Sequence, residues 1–418
     1  MRTLVARPTP KLVALAVLCF AAAVSRRPDI LFNPQFWAED GLIFYQQAHE
    51  LGFAATLLTP HAGYLHTLPR LVAGLSLLVP LAMAPLLFNL VGLAAQSLPA
   101  IFLASDRMER AAPLPVRLLL AFLYVGVPNV WRIHGNLTNA QWHLCVLCLL
   151  ILIASAPRSA WAAAFDVAML VLGVVTGPFA LFLLPIAAIL AWQQRDRWSI
   201  ARAVILAVGS VAVAVLVSSG TRPISLAALS ASVLGFCRII GFQIVAPVFW
   251  GSNPVLSLAD TPRLPTALGV ALTVLGSALM AYVFWRGNTA VRCFLVFAAL
   301  QLAASLISPL ASATEPQWIA LERPGATHRY WMLPEVAVSV AVVVMAATAR
   351  ARLLRGFFAA LVVVMVLVDL VHWRVAPLPD LHFADSAAAF AALPVGQTLR
   401  IPIPPPKWSF VLTKTEWD

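Results

Sequence analysis

Long apolar runs alternate with short basic stretches along most of the chain. A helix crossing a membrane needs about 20 apolar residues. Runs of this character fall at Leu12–Ser25, Leu86–Ala104, Leu118–Trp131, Gln141–Ser155, Trp161–Thr176, Phe179–Trp192 and Ala203–Ser219. Four more follow at Thr266–Trp285, Cys293–Pro309, Met332–Ala349 and Gly356–His372. The pattern predicts an all-α polytopic membrane protein with about 11 transmembrane helices. It adds extracytoplasmic juxtamembrane helices and a small C-terminal tail. Residues 1–372 read as the membrane domain, with a first extracytoplasmic loop at 26–67. Residues 373–418 read as a small extracytoplasmic segment, strand-like over Trp408–Thr413. The basic start Met1–Lys11, followed by a run ending Ala21-Ala22-Ala23-Val24-Ser25, resembles a signal peptide. It is read as an uncleaved first span, because the same style continues through the chain.

Composition sharpens this picture. The chain is 61% hydrophobic and 11% charged, where a soluble domain carries about a quarter charged residues. The net charge of +11 does not point to nucleic acid, because the arginines lie in short loops between apolar runs. Their expected partners are anionic membrane lipids. Five loops, at Arg107/Arg110/Arg117, Arg158, Arg195/Arg197/Arg202, Arg286/Arg292 and Arg350/Arg352/Arg355, join the Arg2/Arg7/Lys11 start. Together they hold 15 of the 28 basic residues and 4 of the 17 acids. This face is read as cytoplasmic in a cell inner or plasma membrane, with the C-terminus outside. Keeping the later basic loops on that face requires Leu68–Pro85, with Arg70, Pro80 and Pro85, to be re-entrant or interfacial.

The opposite face then receives the chemically rich segments. Within Phe36-Trp37-Ala38-Glu39-Asp40-Gly41, Glu39 and Asp40 are adjacent acids, and one pKa of such a pair should rise. One of them can act as a general base; the alternative is a loop pair capping the next helix. Trp37 and Phe44 read as interfacial anchors, and Leu42–Leu58 as an amphipathic helix. The stretch Pro60–Arg70 adds His61, Tyr64, His66 and Arg70, suited to a phosphate or metal, or to an interfacial turn. His134, Asn136, Asn139 and Gln141 could line a sugar pocket. Gly220–Pro265 has amphipathic character around Ser225–Phe249. His328, Arg329 and Tyr330 precede a span, where they grip a lipid phosphate or snorkel. Cys145 and Cys148 have redox spacing but sit in a Leu-rich run, as inert core thiols. P-loop, dinucleotide, HExxH and GxSxG motifs are absent, and no acidic proton relay is read in the spans.

The acidic pair Glu39-Asp40, the Pro-led Pro60–Tyr64 with its Gly-Tyr, the polar turn His134–Gln141 and the late Arg329-Tyr330 together resemble the GT-C superfamily of membrane glycosyltransferases. Relatives of that kind include protein O-mannosyltransferases and the lipid A aminoarabinose transferase. The resemblance implies an inverting transfer from a polyprenyl-phosphate-linked sugar donor to a lipid, glycan or protein acceptor on the extracytoplasmic face. It implies Asp40 as general base, with Glu39 beside it, and Arg329, Arg70, His61 and His66 on the leaving phosphate. A second acid of some relatives falls near Asn139, an amide, which puts a divalent metal in doubt while leaving it open. The large soluble C-terminal domain of certain relatives has no counterpart. The competing readings are a lipid-linked oligosaccharide flippase or transporter, which would place charges midway along spans, and an O-antigen polymerase or ligase, which would favour a larger late loop.

Overall fold

The computed structural model describes residues 10–218, 227–251, 264–323 and 327–417. Arg2 and Arg7, part of Gly220–Pro265, part of Leu310–Glu335, Ser219 and Asp418 lie outside the described residues. The main helices are α1 (Pro10–Arg26), α2 (Thr67–Ser76), α3 (Ala84–Ala104), α4 (Leu114–Gly126), α5 (Ala140–Ile153), α6 (Ala160–Thr176) and α7 (Ala180–Gln194). They continue with α8 (Arg197–Ser218), α9 (Val233–Trp250), α10 (Leu264–Arg286), α11 (Thr289–Ile307), α12 (Met332–Thr348), α13 (Arg352–Val371) and α14 (Phe383–Ala391). Among the described residues, seven helical segments are long and apolar enough to cross a membrane. The protein is thus a mostly helical, multi-pass membrane protein. Its main core joins α3 to α13 through Leu, Val, Ile and Phe side chains.

The bundle has a basic end and a loop end. At the basic end Asp166, fully buried, accepts from Arg107 at 2.5 and 2.7 Å and from Arg202 at 2.9 Å. Arg107 and Arg202 also donate to the Ser155 and Ala154 carbonyls. At the loop end Arg26 and Arg27 finish α1. Arg26 donates to the carbonyls of Val125, Val127 and Trp373, and Arg27 to those of Trp131 and Ala376. Two adjacent guanidiniums therefore satisfy the orphan carbonyls where α4 ends and where the chain leaves α13.

Several expectations hold and several change. The apolar stretch Leu68–Pro85 forms only the ten-residue α2, a turn and a short 3-10 helix before α3. Ten residues rise about 15 Å, half of a ~30 Å hydrocarbon core. The helix α4 stops at Gly126, so Trp131 lies in a turn-rich loop and not in a span. The expected Leu42–Leu58 helix is broken. It is a π-helix over Asp40–Tyr45, an α-helix over Gln46–Leu51, a left-handed Gly52 and a single turn, Phe53–Thr56. The apolar α9 is long enough to cross and packs along α10, Gly241 against Gly269 and Val245 against Gly276, while the chain around it also reaches loop-end segments. Ala228 and Leu229 accept from Gln317 and Trp318, Gln243 meets Asn129 and Glu322, and Gly251 abuts His372.

The tail also differs from a loose appendage. The strand read at Trp408–Thr413 forms and pairs antiparallel with Thr398–Ile403 (β1 and β2 are Thr398–Ile403 and Trp408–Thr413), Ile401 opposite Phe410. Their inward side chains Ile401, Ile403, Phe410 and Leu412 join Phe383 and Phe390 of α14 in a second core. The other half of that core is the first loop: Phe36, Phe44 and Tyr45. Phe36 is fully buried and touches four rings, of Tyr45, Phe88, Phe383 and Phe410, at 5.0–5.8 Å. Trp37 and Phe44, expected as interfacial anchors, are buried in protein instead. Their aromatic surface is needed inside, because a 46-residue tail has little core of its own.

Candidate functional site at the loop end

The tail core presents the acidic pair. Ala38 takes a left-handed conformation, φ 44°, and its N–H donates to the Pro404 carbonyl at 2.7 Å. Such backbone is costly at a non-glycine residue and persists where its surroundings hold it. Gly41 follows with no room for a side chain: a Cβ would stand 2.9 Å from Ile403 Cδ1 and 3.2 Å from Phe410 Cδ1. The chain then enters the π-helix, a geometry frequent at functional sites. Between the strained residue and the tight glycine, Glu39 and Asp40 point to different surroundings.

Asp40 is fully buried and does not cap the helix. Its Oδ2 accepts the Leu137 N–H at 3.1 Å, while Oδ1 has no hydrogen-bond partner. Burial pushes its carboxyl well above the ordinary range. The Leu137 N–H opposes this and the Glu39 charge adds to it. Glu39 is only half-buried. It accepts weakly from Thr138 Oγ1 at 3.5 Å and lies within electrostatic reach of His61, Tyr64 and Arg329. Glu39 is the more accessible of the two acids and Asp40 the enclosed one.

A tight turn delivers the next two groups. Ala62 and Gly63 both have positive φ, 52° and 91°, and the backbones of His61 and Tyr64 exchange hydrogen bonds at 3.0 and 3.3 Å. That is the primed turn geometry which positive φ at both central residues produces. Tyr64 accepts from Gln141 Nε2 at 3.4 Å, linking the turn to α5. Burial lowers the His61 pKa, with Glu39 opposing and Arg70 assisting. His66 is more deeply packed, between Phe44 at 5.2 Å and Tyr64 at 4.6 Å. Burial first, then His61 and Arg70, push it down to about 3. Burial thus favours the neutral imidazole, whose two nitrogens have no hydrogen-bond partner. Arg70 is buried on the Phe44 ring at 5.6 Å and donates to Gln47 Oε1 at 3.0 Å.

The remaining expected residues divide. His134 is not available to a sugar. It is buried, with Nδ1 against Gln96 Nε2 at 2.9 Å and Nε2 against the Ala23 carbonyl at 3.0 Å. Asn136 shapes its own turn, donating to the Arg132 carbonyl at 2.7 Å and accepting from Asn139 Nδ2 at 2.7 Å. Asn139 starts α5 from that turn. The His328 ring packs edge-on against Trp131 at 5.4 Å, with neither nitrogen hydrogen-bonded. Arg329 lies over the Tyr330 ring at 5.0 Å, and the Tyr330 hydroxyl accepts the Leu310 N–H at 3.2 Å.

Arg132 was not among the expected site residues. It lies over Trp131 at 4.9 Å, and partial burial, with the nearby Arg329 charge, lowers its pKa. Among the described residues neither Arg132 nor Arg329 forms an ion pair. Its signal was the Trp-Arg pair heading the polar turn. Two acids inside the spans were also missed. Glu335 of α12 and Asp369 of α13 are buried near the loop end and interact electrostatically, Asp369 with Arg26 as well. Among the described residues no three His, Cys, Asp or Glu gather as a metal set. Glu39, an Asp40 already holding Leu137, and an amide at Asn139 do not fit a resident divalent ion. Cys145 and Cys148 are free and buried in α5. No protein-family model and no curated protein matches the chain.

Proposed function

We propose that the protein is a membrane glycosyltransferase that moves a sugar from a polyprenyl-phosphate donor to an acceptor on the extracytoplasmic face, with inversion. One observation carries this reading. A half-buried carboxylate, Glu39, lies within electrostatic reach of the Arg329 guanidinium, which in turn lies within electrostatic reach of a second, Arg132. Glu39 takes the proton of an acceptor hydroxyl, whose oxygen bonds to the anomeric carbon. The bond from that carbon to the phosphate oxygen breaks, and the polyprenyl phosphate leaves with the electron pair. Arg329 and Arg132 take up the charge that develops there. Tyr64, His61 and Gln141 hydrogen-bond the sugar, and Asp40 positions the loop from behind.

The proposed topology has eleven crossings: α1, α3 to α8, and α10 to α13. The basic end is cytoplasmic and α9 lies across the extracytoplasmic end. The test is transfer by the purified full chain in lipid from a polyprenyl-phosphate sugar. Glu39→Gln should cut turnover by about a hundred- to ten-thousand-fold, and Arg329→Gln should weaken donor use. A folded Glu39→Gln protein with full transfer sinks the base assignment. The buried Glu335 and Asp369 favour a second reading, a transporter of a lipid-linked sugar. Movement of donor across vesicles with no glycosidic product selects it.

A further inference from the structure

A cleft of about 410 Å³ opens between α3, α4, α5, α11 and α12, in the size range of small-ligand pockets, about 300–1,000 Å³. It is separate from the loop-end site and lined almost wholly by apolar side chains. Its α12 wall is Val336, Val340, Val344 and Thr348, spaced one turn apart. From first to last they rise about 18 Å, close to the ~15 Å of hydrocarbon in one leaflet. The cleft thus runs from the basic end along most of α12.

Its mouth is built and charged. Asn288 donates to the Ala111 carbonyl at 2.8 Å and pins the α10–α11 turn onto the loop before α4. Arg117 and Arg286 flank that turn on the lining. Arg117 is buried; its Nη1 donates to the Leu103 and Ser105 carbonyls, and its Nε has no partner. The Arg286 side chain is exposed and makes no hydrogen bond or ion pair among the described residues. An apolar slot long enough for an acyl chain, with cations at its entrance, is complementary to an anionic lipid.

The geometry points to a phospholipid site in which one acyl chain of an anionic phospholipid fills this cleft and its phosphate meets Arg286 and the Arg117 Nε–H. The site is distinct from the sugar donor's and does not depend on the glycosyltransferase reading. The test places the full chain in phosphatidylcholine nanodiscs with phosphatidylglycerol carrying a photoreactive acyl chain. Label should map to α4 and α12. Unlabelled phosphatidylglycerol should compete and added phosphatidylcholine should not. Arg286→Gln should reduce labelling several-fold and erase that preference. Val340→Trp, which fills the slot, should abolish it, and Val116→Trp from the facing wall should do the same if the first variant fails to fold. Equal competition by phosphatidylcholine, or label that persists when the slot is filled, overturns the proposal. So does polyprenyl phosphate competing more strongly than phosphatidylglycerol, which would make the cleft part of the donor site.

Discussion

At the scale of single residues, Glu39 and Asp40 are neighbours in sequence with opposite surroundings, and their variants should separate. Burial holds the Asp40 carboxyl above its ordinary range, so the folded protein binds that proton more tightly than the unfolded chain. Stability from this group is full below the ordinary carboxylate range and declines as pH rises through the raised value. Asp40→Asn cannot ionise, so its thermal unfolding in detergent should change less between about pH 5 and 8 than that of the parent. Glu39→Gln should leave that dependence intact and remove transfer. An Asp40→Asn protein that keeps the parent's pH dependence would refute the buried-acid assignment. The sequence could say that two adjacent acids must differ. It could not say which is hidden, because that rests on Leu137 supplying an N–H and on a tail more than 350 residues away.

At the scale of elements, two contacts between distant segments dominate. Phe36 joins the first loop to the tail, and Phe36→Ala should cost about 3–5 kcal/mol, the range for emptying an aromatic core site. Limited proteolysis should then cut between α13 and β1 sooner than in the parent, because the tail loses its main foothold. At the opposite end Asp166 neutralises Arg107 and Arg202. Asp166→Asn leaves the buried Arg202 and the partly buried Arg107 without their counter-ion and should cost about 3–5 kcal/mol. Calorimetry should show a lower Tm, while turnover of the protein that remains folded is unchanged, since no loop-end residue moves. Helix existence was legible from apolar runs in nearly every case, as was the strand at Trp408–Thr413. What was not legible was where a run ends or breaks. The early stop of α4 and the π-helix at Asp40–Tyr45 answer to packing partners and not to local propensity.

At the scale of the whole molecule, the arrangement separates a basic end from a polar end. Single cysteines in a cysteine-free background read out orientation directly. Arg400→Cys, on the tail hairpin, should react in intact cells with a membrane-impermeant thiol reagent, and Arg158→Cys should react only after permeabilisation. The reverse pattern would invert the topology and move the proposed chemistry to the cytoplasmic face.

Hydropathy by itself determined that this is a multi-pass helical membrane protein and which segments lie in short basic loops. Those properties follow from composition along the chain, because a bilayer excludes backbone and charge wherever a run is long enough. Tertiary structure alone decided which polar groups are free. It tied His134 to Gln96 and Ala23, sealed Asp40 behind Leu137, committed Arg26 and Arg27 to carbonyls, and left Glu39 within electrostatic reach of Arg329. Side chains of one type are structural or available according to whether a partner fills their hydrogen bonds. In this fold those partners come from segments far apart in the chain.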